Sequence, residues 1–273
     1  MTTAETSVTE AILANPRVRA GRARLVSDAL TITWRNLLAM RRNPRIIVFT
    51  AIQPVVFVVM FRYVFGGAIS TPGIPYVDYL MPGIFAQTLV FGAVTTGVGL
   101  AEDLQRGLID RFRSLPMARS AVLLGRTLAD LTRNLFVVVL LTAVGFAVGW
   151  TIHSDVWHLL AALALALAFA YSLSWVFAIV GLMARDSETA QAAAFPVLAP
   201  LVFASSAFVP VASMPSWLRA FAEHQPVSAV VNAVRALTLG TPAGSDVLTA
   251  LAWIVGIVAV GAPFAVARYR RVG

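Results

Sequence analysis

The sequence predicts an all-α integral membrane protein with six spans and both termini on the cytoplasmic side. Three observations carry that prediction. Apolar residues make up 59% of the 273 residues and charged ones only 12%, against roughly 45–50% and 25% in soluble domains. Six apolar stretches alternate with polar segments, each of them about 20 residues, enough to cross a ~30 Å hydrocarbon core. Eighteen of the 21 basic residues fall in the segments on one side, and only Arg62, Arg219 and Arg235 on the other. That bias puts the arginine-rich side in the cytoplasm.

The chain is expected to form a flexible cytoplasmic tail at 1–27 and one membrane domain at 28–273, with no soluble part large enough for its own core. The tail is polar and lacks the apolar run of a signal peptide. Its Arg17, Arg19, Arg22 and Arg24 either touch anionic headgroups or act as topology charges. Residues 28–43 predict an amphipathic interface helix that Pro44 stops. Leu30, Trp34, Leu37 and Leu38 share one face, while Arg35, Arg41 and Arg42 fall elsewhere. Trp34 and the three arginines suit the boundary of a bilayer.

The first span is placed at 46–65, with Gln53-Pro54 predicting a kink or a face turned to protein. A short outer loop at 66–79 holds Asp78, and the second span follows at 80–100. Gly92, Gly97 and Gly99 permit close packing there, and Gln87 is read as a helix–helix hydrogen bond. Residues 101–130 are too charged for hydrocarbon, where one central charge costs about 2.5–3.5 kcal/mol. In that inner loop Leu104, Leu108, Phe112 and Leu115 make one apolar stripe, which predicts an amphipathic helix from Glu102 to Leu115, ended by Pro116. The third span is placed at 131–150, with Asp130 and Arg133 as an ion pair where it leaves the water. The fourth is placed at 159–183 and the fifth at 190–209, the latter expected to break at Pro196 and Pro200. An outer cap at 211–240 contains two amphipathic pieces split by Pro226. Trp217, Leu218 and Phe221 mark the first; Val227, Val230, Val231, Val234 and Leu237 mark the second. Both are expected to dip into the outer interface. The sixth span, 247–267, leads to an arginine-rich inner tail.

Composition also excludes functions. The chain contains no lysine, so it cannot carry a P-loop, whose Lys holds the nucleotide phosphates. An ATP-driven process would need ATP and Mg on another polypeptide. No cysteine is present, and His153, His158 and His224 form no metal-ligating array. No metal site is expected. The charge of +8 reflects topology and does not indicate nucleic acid. No acid stands near a span centre, which argues against an ion-coupled carrier. Phe57, Phe85, Tyr171, Trp175 and Phe203 are candidates for lining an apolar substrate path, although aromatic residues in spans more often pack or form belts.

The run E-D-x-x-R-G-x-I-D-R-F-R-S-L-P-M-x-R-S-x-x-x-x-G-R-x-x-x-D-x-x-R, from Glu102 to Arg133, resembles the cytoplasmic loop of type-2 ABC exporter membrane subunits. It is most similar to the daunorubicin/doxorubicin-resistance branch. The run AFVPVASMPSWLRAFAEHQPVSAVVNAVRAL, Ala207 to Leu237, resembles that family's outer loop before the last span. The resemblance implies a membrane permease without its own ATPase site. It implies coupling to a separate ATPase subunit through Glu102, Asp103, Arg106, Asp110, Arg111 and Arg113. The interface helix around Trp34, Arg35, Arg41 and Arg42 would also touch that subunit. A second copy of the chain, a re-entrant outer cap and export of a lipophilic drug or lipid across the plasma membrane are implied as well. Two other readings stay open: export of a glycan or polyketide lipid, and an intramembrane enzyme or assembly factor without transport.

Overall fold

The computed structural model describes residues 30, 31, 33, 34, 38, 44–69, 71, 73–107 and 119–271. Helix α1, Pro44–Val59, continues through a π-helical turn at Met60–Phe65. Then follow α2 (Tyr76–Gln105), α3 (Arg119–Ala147), α4 (Val156–Met183) and α5 (Ser187–Phe203). A 3-10 turn at Val211–Ser213 leads to α6 (Ser216–His224), α7 (Pro226–Leu239) and α8 (Gly244–Arg271). No strand occurs among the described residues.

Among the described residues, four helical stretches are long and apolar enough to cross a membrane: Tyr76–Gln105, Leu123–Ala147, Val156–Met183 and Gly244–Tyr269. The chain is thus a multi-pass membrane protein. Two of the six expected spans are not among these four: α1, which with its π-helical turn runs from Pro44 to Phe65, and α5, which has 17 residues, or about 25 Å at 1.5 Å per residue.

The bundle is organised around α2 and α4. Their interface is the largest between any two helices, and α3, α5, α7 and α8 pack around it. The two backbones meet at Gly97 and Gly181. A Cβ at Gly181 would strike the backbone of Gly97, and one at Gly97 would strike the carbonyl of Phe177. Small residues allow such an approach where lipid supplies no hydrophobic drive for association. A main apolar cluster joins α2, α3, α4, α5 and α7. A second, around Leu100, Leu123, Trp175 and Tyr269, closes the end where α8 finishes; this is called the lower end. The outward faces of α1, α3 and α8 expose Val56, Phe136, Val139, Val255 and Phe264, as lipid-facing surfaces do.

Several expectations change. Helix α5 runs unbroken through Pro196 and Pro200. Both prolines lie on its exposed face, opposite the buried stripe Ala190, Ala194, Leu198 and Val202 that holds it to the bundle. The apolar stripe of the second amphipathic piece is covered by protein. Val227, Val230, Val231 and Val234 of α7 are buried against α2, α4 and α8. In α6, by contrast, Trp217 and Phe221 are exposed. Gln225 joins the two helices and donates from Nε2 to the carbonyls of Leu201 and Ala204. It thereby satisfies open carbonyls at the end of α5.

At the upper end, Asp78 is not in a loop. It lies in the first turn of α2 and is fully buried. Its carboxylate accepts from Thr151 N–H (2.9 Å) and Thr151 Oγ1 (2.8 Å), and pairs with His153 Nε2 at 3.0 Å. His153 N–H in turn donates to the carbonyl of Thr238 at 3.0 Å, which ties the α3–α4 turn to α7. Arg235 lies over the Tyr79 ring, 3.7 Å from its centroid, and donates to the carbonyls of Tyr79 and Ser206.

Candidate functional site

The lower end is built from the last turn of α2 and the first turns of α3. Leu100 and Ala101 are fully buried and Leu104 packs beside them, so the apolar stripe of α2 reaches past Glu102. The helix stops where Gly107 takes φ +67°. Such a left-handed residue ends helices and favours glycine. Arg106 and Gly107 N–H groups close the turn on the carbonyls of Glu102 and Leu104. Glu102 to Gln105 therefore end α2 and do not begin a separate helix. The rest of the expected amphipathic helix, with Asp110, Arg111 and Arg113, lies outside the described residues.

The acids and arginines of this end divide into two kinds. Glu102 and Arg106 form an i, i+4 pair with side chains 43% and 66% exposed, a geometry of little energetic worth. Asp103 instead turns inward to Arg126 of α3 at 2.5 Å, both mostly buried. Gly99 makes this possible, because a Cβ there would occupy the space of the Arg126 guanidinium. Nearby, Thr33 is buried and donates from Oγ1 to the carbonyl of Gly125 at 3.0 Å. That contact sets the N-terminal helical residues against α3, with Trp34 exposed. Arg35, Arg41 and Arg42 lie outside the described residues.

The α2–α3 contact continues upward as a polar ladder. Thr96 Oγ1 donates to Asp130 Oδ2 at 2.5 Å. Arg133 pairs with Asp130 at 3.3 Å and donates from Nη2 to the Gly92 carbonyl at 2.7 Å. The Asp130–Arg133 pair exists as expected, and it stands between α2 and α3. Helix α3 begins at Arg119, so both residues lie within it.

Beside the ladder lies a cavity of about 370 Å³ between α1, α2, α3 and α5. Phe57, Phe91 and Phe195 give it apolar walls, and Gln87, Arg133 and Asn134 give it a polar side. Gln87 is 3% exposed, and its Oε1 has no hydrogen-bond partner. The expected helix–helix hydrogen bond through this oxygen is absent. Arg133 Nε is likewise buried without a partner.

Of the five aromatic residues proposed for a path, Phe57 alone lines this cavity. Phe85 is fully buried against Trp150. Trp175 is buried in the lower cluster, with Tyr171 edge-on to it at 6.1 Å. Phe203 is half exposed and stacks on Phe208 at 6.0 Å. Phe208 stacks on Phe61 at 4.7 Å, and Phe61 on Phe57 at 6.0 Å. An aromatic column thus rises from the cavity toward the upper end.

Residues 28–239 match the family described as ABC-2 type transporter. The chain belongs to that family. As an ABC-2 type permease it is similar over nearly its whole length to drug-resistance proteins. It is 35% identical to the "Daunorubicin resistance ABC transporter permease protein DrrB1" of Streptomyces coeruleorubidus, over 92% of this chain and 89% of the relative. It is 28% identical to the "Probable doxorubicin resistance ABC transporter permease protein DrrC" of Mycobacterium tuberculosis, over 90% and 89%. The "Putative transport permease ycf38" of Pyropia yezoensis is 26% identical over 78% and 74%. In this permease the Asp103–Arg126 pair and the contacts of Asp130 with Thr96 and of Arg133 with the Gly92 carbonyl were not anticipated from the sequence, which yields only the Asp130–Arg133 pair itself.

Proposed function

We propose that this permease is the membrane subunit of an ATP-driven exporter that moves a lipophilic drug or lipid-like compound out across the plasma membrane. The observation that carries the reading is its similarity, over 92% of the chain, to a permease named for daunorubicin resistance. Six spans cross the bilayer, with α1 and α5 completing the four longer helices. Both termini, and the lower end, face the cytoplasm, in line with the arginine bias. A separate ATPase subunit, holding ATP and Mg, grips the loop between α2 and α3.

In this reading Glu102 and Arg106, which are exposed, meet the ATPase together with Asp110, Arg111 and Arg113. Asp103 acts behind them, holding α2 to α3 through Arg126. Trp34, Arg35, Arg41 and Arg42 flank the same surface. A second copy completes the path across the exposed face of α5. Hydrolysis rocks the two bundles, and substrate passes by the cavity and its aromatic column.

The test is co-purification and transport. The tagged chain, extracted from its native membrane, should bring down a P-loop ATPase near equal stoichiometry. Replacing Arg106, Asp110 and Arg113 together should abolish ATP-dependent export while leaving membrane insertion intact. Unchanged export by that triple variant refutes the coupling surface, and a folded chain with no ATPase partner refutes the exporter.

A further inference from the structure

We propose that α2 and α3 move as one rigid lever, anchored at the upper end and free to slide on α4 at the lower. Four polar contacts join the pair along its length. At the top, the buried Asp78 carboxylate accepts from N–H and Oγ1 of Thr151, just past the end of α3. Lower down, the Gly92 carbonyl accepts from Arg133, Asp130 accepts from Thr96, and Asp103 pairs with Arg126. Positions 92, 96, 99 and 103 of α2 are spaced i, i+4, i+7 and i+11, and 126, 130 and 133 of α3 are spaced i, i+4 and i+7. Each set follows one helix face. Glycines on that face of α2 make room: a Cβ at Gly99 would meet Arg126, and one at Gly92 would lie 2.7 Å from Asn134 Oδ1. From Asp78 to Asp103 the clamped length is about 38 Å at 1.5 Å per residue. Asp78, Thr96 and Asp130 are all buried, so opening the clamp would strand charges and donors away from water.

The seam between α2 and α4 is of another kind. It is the largest helix interface, yet among the described residues no side-chain hydrogen bond or ion pair crosses it. Ser172 and Ser174 of α4 donate instead to carbonyls of their own helix, those of Phe169 and Tyr171. Bare backbones meet at Gly97 and Gly181, and below them Leu100 packs in one apolar cluster with Trp175 and Leu182. Apolar contact is non-directional, so a small slide exchanges one packing of this seam for another. The upper end is the fulcrum. Arg235 of α7 donates to the Tyr79 carbonyl, and the hydroxyls of Tyr76 and Tyr79 donate to the carbonyls of Phe208 and Ser206. The upper end of α2 is thus bonded to α7 and to the segment after α5. From Gly92 downward, among the described residues, its side-chain bonds to other helices reach α3 alone. Only ATP as the driver of the lever rests on the exporter reading; the rigid pair and the sliding seam stand apart from it.

The chain contains no cysteine, so paired spin labels have no background. Gln105 of α2, Thr132 of α3 and Met183 of α4 are exposed and carry the labels. Gln105→Cys with Thr132→Cys reads the lever, and Gln105→Cys with Met183→Cys reads the seam. Double electron–electron resonance is measured on the full chain in phosphatidylcholine nanodiscs, diluted with unlabelled chain. It is repeated on the complex with the co-purified ATPase, under ATP and vanadate. In the chain alone the lever pair should give a narrower distance distribution than the seam pair, and Arg126→Ala should widen the lever pair only. Under ATP and vanadate the seam distance should shift by about 2 Å or more while the lever distance holds within about 1 Å. A lever pair as broad as the seam pair in the chain alone, or unchanged by Arg126→Ala, overturns the rigid pair. An ATPase-bound complex in which neither distance shifts overturns the sliding seam. A narrow lever pair in a chain that brings down no ATPase keeps the lever and refutes the exporter. Equal ATP-driven shifts in both pairs keep the exporter and refute the lever.

Discussion

Replacing Gly99 with alanine tests what holds the lower end of α2 to α3. The new Cβ would take the space of the Arg126 guanidinium. That group is the end of a flexible side chain, so it moves away and no backbone clash results. The loss is its 2.5 Å contact with Asp103, made with side chains only 20% and 14% exposed. A hydrogen bond to a charged group is worth about 1.5–3 kcal/mol. Alanine in a helix returns about 1 kcal/mol relative to glycine. The net expectation is a loss of about 0.5–2 kcal/mol. In an Arg126→Ala background the space is empty, and the same change should stabilise by about 1 kcal/mol. The reversal of sign is the signature of the pair. Denaturant titration of the four proteins of this cycle in mild detergent measures it. Equal effects of Gly99→Ala in both backgrounds, within about 0.5 kcal/mol, would refute the reasoning.

Asp78→Ala should cost about 3 kcal/mol, because two donors on Thr151 lose their buried acceptor. His153→Gln, at a half-exposed side chain, should cost less than about 1 kcal/mol in the same assay. Gly181→Ala should reduce the folded yield and lower stability by about 1–3 kcal/mol, since the Gly97 backbone cannot yield; a neutral result would mean that α2 and α4 do not cross there. The carboxyls of Asp155 and Asp186 cap α4 and α5, and the backbone N–H groups of His158 and Thr189 hold them below the usual carboxylate range. Their folded values are depressed, so the caps contribute fully above about pH 4 and are lost as pH falls through the folded values. The Asp155→Asn, Asp186→Asn double variant keeps neutral caps and should lose less of its melting temperature between pH 6 and pH 3; an identical acid loss would exclude the caps as its cause.

The lower end illustrates how far local pattern reaches. Composition and arginine placement marked it as the charged side, and the spacing of Glu102 and Arg106 matches the pair that forms. Periodicity also joined Leu104 to a stripe, but assigned that stripe to a new helix. A single residue, Gly107, decides otherwise by its left-handed backbone. For α5 the rule about proline failed, because whether a missing hydrogen bond breaks a helix depends on what holds its other face. For α7 the valine stripe was seen, yet the stripe alone does not say whether lipid or protein covers it.

The sequence by itself determined a multi-pass helical protein with neither lysine nor cysteine in its 273 residues. Length, hydropathy and the absence of lysine are properties of the chain, and no packing can change them. Only the tertiary structure decided that Asp103 and Asp78 turn inward, that Gly99 makes room for Arg126, and that Gln87 and Arg133 face one cavity. These depend on which helix lies opposite each side chain. Burial makes each such neighbour worth kilocalories, while residues 23 to 75 positions apart in the chain carry no mutual pattern to read.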